Sequence, residues 1–151
     1  MARRARPLAR TFAFWDASAL VPLCVAQRIT PSVARLYKIY AAVVWWATPV
    51  EIASALARLV RTGEISSVDG GRARQVAAAL ADDWSVIQPS NALRGRAIKL
   101  VERYDLKAAD AMQLAAALEW CEDLPRGEAF LAADRRLREA AVFCGFDGKA
   151  I

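Results

Sequence analysis

Residues 11–20 read TFAFWDASAL. A short aromatic-rich apolar run ends on Asp16, and small residues with Leu20 follow. The first half reads as a strand over 11–16 and the second as a short helix over 17–25. A carboxylate suits the exit of a strand in a parallel sheet, where strand hands over to helix. Outward from this stretch the same alternation continues. Pro31 opens a helix with apolar positions at Val33, Leu36, Tyr37 and Tyr40, the i, i+3, i+4, i+7 stripe. Residues 43–47, rich in Val and Trp, read as a strand. Thr48, Pro49 and Glu51 then read as N-cap, first helical residue and N3 of a capping box, with the helix stopping at Gly63. A helix over 67–83, a strand over 85–88 and a helix capped by Ser90 and reaching Tyr104 come next. An alanine- and leucine-rich helix over 107–121, a strand over 129–132, a helix over 134–141 and a last short strand over 142–147 complete the chain. Strands separated by helices imply parallel strands with right-handed crossovers. The expected fold is α/β: a three-layer sandwich around a short, mainly parallel central sheet.

Composition sets the limits of function. The 151 residues are 56% hydrophobic and 25% charged, with only 7 glycines and 6 prolines, which fits one folded domain over 11–151. Residues 1–10, MARRARPLAR, form a basic head, to be read either as a disordered or misassigned start or as a phosphate-binding arm. The formal charge of +5 suits a polyanionic partner. The longest uncharged stretches, 39–50 and 17–27, fall short of the ~20 residues that cross a bilayer, so a cytoplasmic protein without membrane contact is expected. With no histidine and three scattered cysteines, zinc sites of the Cys/His type, Ser-His-Asp and Cys-His catalysis and histidine acid–base chemistry are excluded. Neither G-x-x-x-x-G-K-[ST] nor G-x-G-x-x-G occurs, and no second Asp follows Asp16 in the D-x-D pattern of aspartyl phosphatases.

Carboxylates are left to do any chemistry, and four are placed unusually. Asp16 ends an apolar strand. Glu51 lies in the first turn of a helix after a strand, Asp110 in the first turns of an almost wholly apolar helix, and Asp134 just after the strand AFLAA. Asp16 and Asp134 can serve as helix caps and Glu51 as half of a capping box. Asp110 is harder to place, because an unpaired buried carboxylate costs several kcal/mol or takes up a proton. All four fall at strand exits or helix starts, so they can converge on one sheet edge. There they would need a hard divalent cation, Mg²⁺ or Mn²⁺.

In kind and order these segments resemble the PIN-domain family, in particular the VapC-type toxin ribonucleases of toxin–antitoxin pairs. Asp16-Ala17-Ser18-Ala19-Leu20 matches the first strand exit. Glu51 with Ala53, Ala55 and Leu56 matches the second acid. Leu106-Lys107-Ala108-Ala109-Asp110-Ala111 with Leu114-Ala115-Ala116-Ala117 matches the third, and Asp134-Arg135-Arg136-Leu137 the fourth. The resemblance spans about residues 11–147. It implies a metal-dependent endoribonuclease that hydrolyses RNA phosphodiester bonds to a 5′-phosphate and a 3′-hydroxyl. Asp16, Glu51, Asp110 and Asp134 would form the catalytic and metal-binding set for one or two Mg²⁺ or Mn²⁺ ions. It further implies a homodimer and an antitoxin that covers the groove and sets a basic side chain near the acids.

Two positions depart from the pattern. Ala132 stands where a Thr or Ser often precedes the fourth acid, and Gln113 where a His often follows the third; the second difference weighs little. Ser18 is read as bonding a metal ligand, a phosphate or local backbone. Arg135, Arg136 and Lys107 are phosphate contacts or solvated charge, and Tyr104 is a base-stacking or a packing residue. The aromatic-rich segments 36–40 and 43–46 suit a dimer face, an antitoxin groove or plain core. The rival expectations are a catalytically weak PIN-like module that binds RNA or protein, and another metal-dependent phosphodiesterase.

Overall fold

The structure, a computed structural model, describes residues 10–151. The basic head, Arg10 apart, lies outside the described residues. Arg10 donates to the Tyr37 carbonyl (2.9 Å) and sits over the Tyr37 ring, so it is tied to the fold's own surface.

Five strands and seven helices follow in the order β1 (Thr11–Trp15), α1 (Ala17–Cys24), α2 (Thr30–Ile39), β2 (Tyr40–Trp45), α3 (Thr48–Arg61), α4 (Ser67–Ala81), β3 (Ser85–Ile87), α5 (Asn91–Arg103), α6 (Ala108–Trp120), β4 (Ala129–Leu131), α7 (Arg135–Cys144) and β5 (Asp147–Lys149). The strands form one sheet in the order β3-β2-β1-β4-β5, and every neighbouring pair is parallel. The expected three-layer α/β sandwich is present.

Side-chain alternation along the strands builds the layers. Phe14, Val43, Trp45 and Phe130 point to one face and pack with Leu93, Leu100 and Leu114 of α5 and α6 and with Leu137 of α7. Ala13, Trp15, Val44 and Leu131 point to the other, against Leu20, Val33, Ile52 and Leu56 of α1, α2 and α3. The connections from β1 to β2 and β2 to β3 use the second face. Those from β3 to β4 and β4 to β5, which move across the sheet in the opposite direction, use the first. A single hand of crossover requires this arrangement.

Two local expectations change. β2 starts at Tyr40, paired with Thr11, not at residue 43. The Tyr40 N–H still bonds the Leu36 carbonyl while its own backbone is extended (φ −107°, ψ 123°), so helix passes into strand without a loop. The last strand is Asp147–Lys149 rather than 142–147. Val142 and Phe143, strand formers by type, are held in α7 until Gly145 ends it at φ +110°, the left-handed C-terminal conformation that glycine adopts without strain. The aromatic-rich segments divide: Leu36, Tyr37 and Tyr40 are partly buried against the second core. Val43, Val44 and Trp45 are buried, while Ile39 and Trp46 stay exposed. Among the described residues no helix is long and apolar enough to cross a membrane.

Phe130 is fully buried, stacked on Phe14 at 5.4 Å and tilted against Phe146 at 5.5 Å between ring centroids. Phe130→Ala is expected to lower the unfolding free energy by about 3–5 kcal/mol, read by urea denaturation at unchanged m-value.

Candidate active site

Strand order reverses between β1 and β4: from β1 the chain moves to β2 on one side, and β4 pairs on the other. A parallel sheet opens a crevice at the carboxyl ends of the strands at such a point. Asp16 follows β1 there. Its N–H donates to the Leu131 carbonyl (2.9 Å), extending the β1–β4 ladder by one step. Its carboxylate accepts from the Ser18 N–H (2.9 Å) and from the Ser18 hydroxyl. The same hydroxyl oxygen accepts from the Ala133 N–H at 2.9 Å, so Ser18 fastens Asp16 to the turn between β4 and α7. Asp134 closes that turn, its Oδ1 accepting from the Leu137 N–H (2.9 Å) as N-cap of α7. Asp16 caps α1 in the same way. Capping therefore orients both carboxylates and leaves each with oxygen lone pairs to spare.

Glu51 does not complete a capping box. Ala47 is the N-cap of α3, with no side-chain cap bond, and Thr48 is already inside the helix and fully buried. Both Thr48 and Glu51 are drawn instead to Gln113 of α6, whose Nε2 donates to Thr48 Oγ1 (3.2 Å) and Glu51 Oε1 (3.1 Å). Gln113 is fully buried, and its Oε1 has no partner. Asp110 lies three residues earlier, on the same face of α6. The result is a cavity of about 320 Å³ lined by Asp16, Ser18, Glu51, Arg58, Asp110 and Asp134, among others.

The acids act on one another. Burial pushes Asp16 up to about 6, against the hydrogen bonds from Ser18 and with a further push from the charge of Asp110. Burial likewise pushes Glu51 up to about 7, against its bond from Gln113, with Asp16 and Asp110 adding repulsion. Asp110 is raised by burial and by Asp134, with Lys107 opposing. Among the described residues the ion pairs involve Asp69, Glu119, Asp123, Glu139, Asp105 and Asp147, and none of the four cavity acids. Yet no three acidic or cysteine side chains among the described residues stand close enough to hold one ion as placed. Asp16 is buried and held by Ser18, Glu51 and Asp110 are half-buried, and Asp134 is exposed. The donor set, carboxylate oxygens with no histidine anywhere in the chain, fits a hard divalent cation in charge and in kind.

The other marked residues fall as follows. Arg135 pairs with Glu139 (3.3 Å) and Arg136 with Asp105 (3.2 Å), all well exposed. Ala132 is fully buried in the core facing α5 to α7, and it is the Ser18 hydroxyl that reaches the β4–α7 turn. Tyr104, half-buried, packs at the edge of that core. Sequence reasoning gave Gln113 too little weight and missed Arg58. Gln113, the buried polar side chain of an apolar helix three residues from Asp110, stands behind the cavity wall through its bond to Glu51. Arg58 is two turns beyond Glu51 on the same helix face. Helical spacing would have found both.

No family model and no curated protein matches the chain. Solved structures do resemble it. A chain of a toxin–antitoxin complex from Klebsiella pneumoniae superposes with a TM-score of 0.62 at 15% identity, over 92% of this chain and 99% of that one. PAE2754 from Pyrobaculum aerophilum gives a TM-score of 0.62 at 18% identity, over 93% of this chain and 88% of that one. At such identities the likeness is one of fold.

Asp16 and Glu51 hold protons in the folded state at pH values where the unfolded chain has released them, from 3.8 to about 6 and from 4.5 to about 7. The stability this lends is complete below about pH 4 and is lost as pH rises through 6 to 7. The cation-free protein is therefore expected to lose several degrees of melting temperature across that window from these two groups. Asp16→Asn is expected to flatten the lower part of the decline, as read by thermal melts at a series of pH values.

Proposed function

We propose that this chain is a Mg²⁺- or Mn²⁺-dependent endoribonuclease of the PIN-like kind, the toxin of a type II toxin–antitoxin pair with an antitoxin as partner and a homodimeric assembly. One observation carries the nuclease proposal. Carboxylates from four remote segments line one cavity at the strand-order reversal, and among the described residues none of them is in an ion pair. The order of sequence motifs around Asp16, Glu51, Asp110 and Asp134 supports it. For the toxin role the support is the fold likeness to a chain of a toxin–antitoxin complex. For a cytoplasmic location it is composition, with no helix among the described residues able to cross a membrane.

A divalent ion in the cavity supplies Lewis acidity toward the phosphoryl oxygens and a more acidic water near neutral pH. Asp16, fixed by Ser18, would hold the ion together with Asp110 and Asp134. Glu51, steered by Gln113, would orient the attacking water and take its proton. The bond from that oxygen to phosphorus forms as the bond to the 3′-oxygen breaks, and the 3′-oxygen takes a proton from solvent water to leave as a hydroxyl. Arg58, at the rim, faces the incoming phosphate and adds positive charge where the substrate is most negative. A rival, a PIN-like binding module without hydrolysis, draws on the separation of the carboxylates.

The purified protein is expected to cut single-stranded RNA with Mg²⁺ or Mn²⁺ and to stop when a chelator is added. Asp16→Asn and Asp110→Asn should fall to background while melting at the same or a higher temperature, and Gln113→Ala should lose about 10- to 100-fold, the usual effect of removing a residue that orients a ligand. Binding of RNA without cleavage, unchanged by chelator, would favour the rival. Arg58→Ala is expected to raise KM more than it lowers kcat.

A further inference from the structure

Phe143 is 78% exposed near the end of α7, although Phe146, three residues on, is buried. Its ring lies against Tyr104, with centroids 6.4 Å apart and planes 23° apart, and the Arg103 guanidinium stands 5.5 Å from the Tyr104 centroid. Two shallow cavities, of about 300 and 280 Å³, share this ring pair. Arg96, Lys99 and Arg103 of α5 wall the first. Arg135 and Arg136, with Asp105 and Glu139, wall the second. Five basic side chains thus surround the rings against two acidic ones, and the second cavity starts one residue from Asp134 of the acidic cavity.

The cations differ in what they are free to do. Arg96 is committed to Glu119 and Asp123, at 2.6 Å each. Lys99 and Arg103 take part in none of the ion pairs among the described residues. The pairs of Arg135 and Arg136 are exposed, and such pairs are weak enough to exchange for phosphate. An aromatic pair with cations on both sides repeats the alternation of a nucleotide chain, in which each base lies between phosphates. An apolar protein surface laid on Phe143 would strip water from those cations without pairing them. A duplex would keep the faces of its bases stacked and out of reach of the ring.

We infer that Tyr104 and Phe143 form a stacking subsite for an unpaired base of a single-stranded nucleic acid, with Lys99, Arg103 and Arg136 taking the neighbouring phosphates. The direction of the strand, into the cavity at Asp134, rests on the nuclease proposal above; the subsite itself does not. Affinity here comes from ring stacking and charge, so it tolerates any base.

Binding of a labelled oligoadenylate of about a dozen nucleotides to the full chain, with chelator present to prevent cleavage, tests this. Phe143→Ala is expected to weaken binding about 5- to 50-fold and Phe143→Trp to restore it. Joint Lys99→Gln and Arg103→Gln substitution should lower the slope of log affinity against log salt by about 1.4, or ~0.7 per phosphate contact. Duplex RNA should be indifferent to Phe143→Ala. Undiminished oligoadenylate binding by Phe143→Ala, no binding by the unaltered chain, or a Phe143→Ala loss that sedimentation traces to a dimer becoming a monomer each overturns the subsite. Cleavage with metal restored is read separately on the same oligoadenylate. No cleavage by any form, with Phe143-dependent binding intact, removes the nuclease proposal and keeps the subsite.

Discussion

Burial of carboxylates at one edge of a parallel sheet, with their mutual repulsion added, is the constraint that sets the candidate site apart. Parallel strands deliver their carboxyl ends, and the first turns of the helices that follow, to a common edge, and the reversal of strand order beside β1 leaves a crevice there. Asp16, Glu51, Asp110 and Asp134 line it. Burial and mutual charge raise the proton affinity of the first three. A fold that needed Asp16 only as a helix cap could have used serine, threonine or asparagine there at no such cost.

The supporting bonds differ in what they tie together. Ser18 ties Asp16 to the β4–α7 turn through one hydroxyl that donates to the carboxylate and accepts from the Ala133 N–H. Gln113 ties α6 to α3 through Thr48 and Glu51, and keeps an unpartnered buried oxygen. The first link is short and local, so it sets a position. The second crosses between helices on opposite sides of the sheet edge, so it couples the approach of Glu51 to the placement of the helix that carries Asp110. In the proposed enzyme, Asp16 would be a fixed ligand, and Gln113 would set the position of Glu51 relative to Asp110.

The layer architecture was legible because strand and helix periods alternate cleanly from Thr11 onward and because each strand exit carries a marker: Asp16, the Thr48–Pro49 pair or Asp134. The boundaries that slipped did so where tertiary pairing overrode local preference. Tyr40 completes an apolar helical stripe, yet its backbone is extended because it pairs with Thr11 of β1. Val142 and Phe143 favour strands by type, yet they remain helical until Gly145 supplies the left-handed turn. At the candidate site, the carboxylates were visible as charges in the wrong company. Gln113 looked like a minor departure and proved to be the link between two walls, since a neutral amide in a helix reveals its purpose only when its partner element is known. Thr48 misled for the same reason: its hydroxyl has two plausible local uses, and a residue 65 positions away chose a third.

Calorimetric titration of the chelator-treated protein with Mn²⁺ addresses the central claim most directly, because it asks whether the clustered acids take up a cation in the absence of RNA, partner or chemistry. Saturable uptake at one or two sites, released protons near pH 6.5 as Asp16 and Glu51 give theirs up, and loss of the heat in Asp110→Asn are the expected results. A flat titration, or equal uptake by Asp110→Asn, would contradict it.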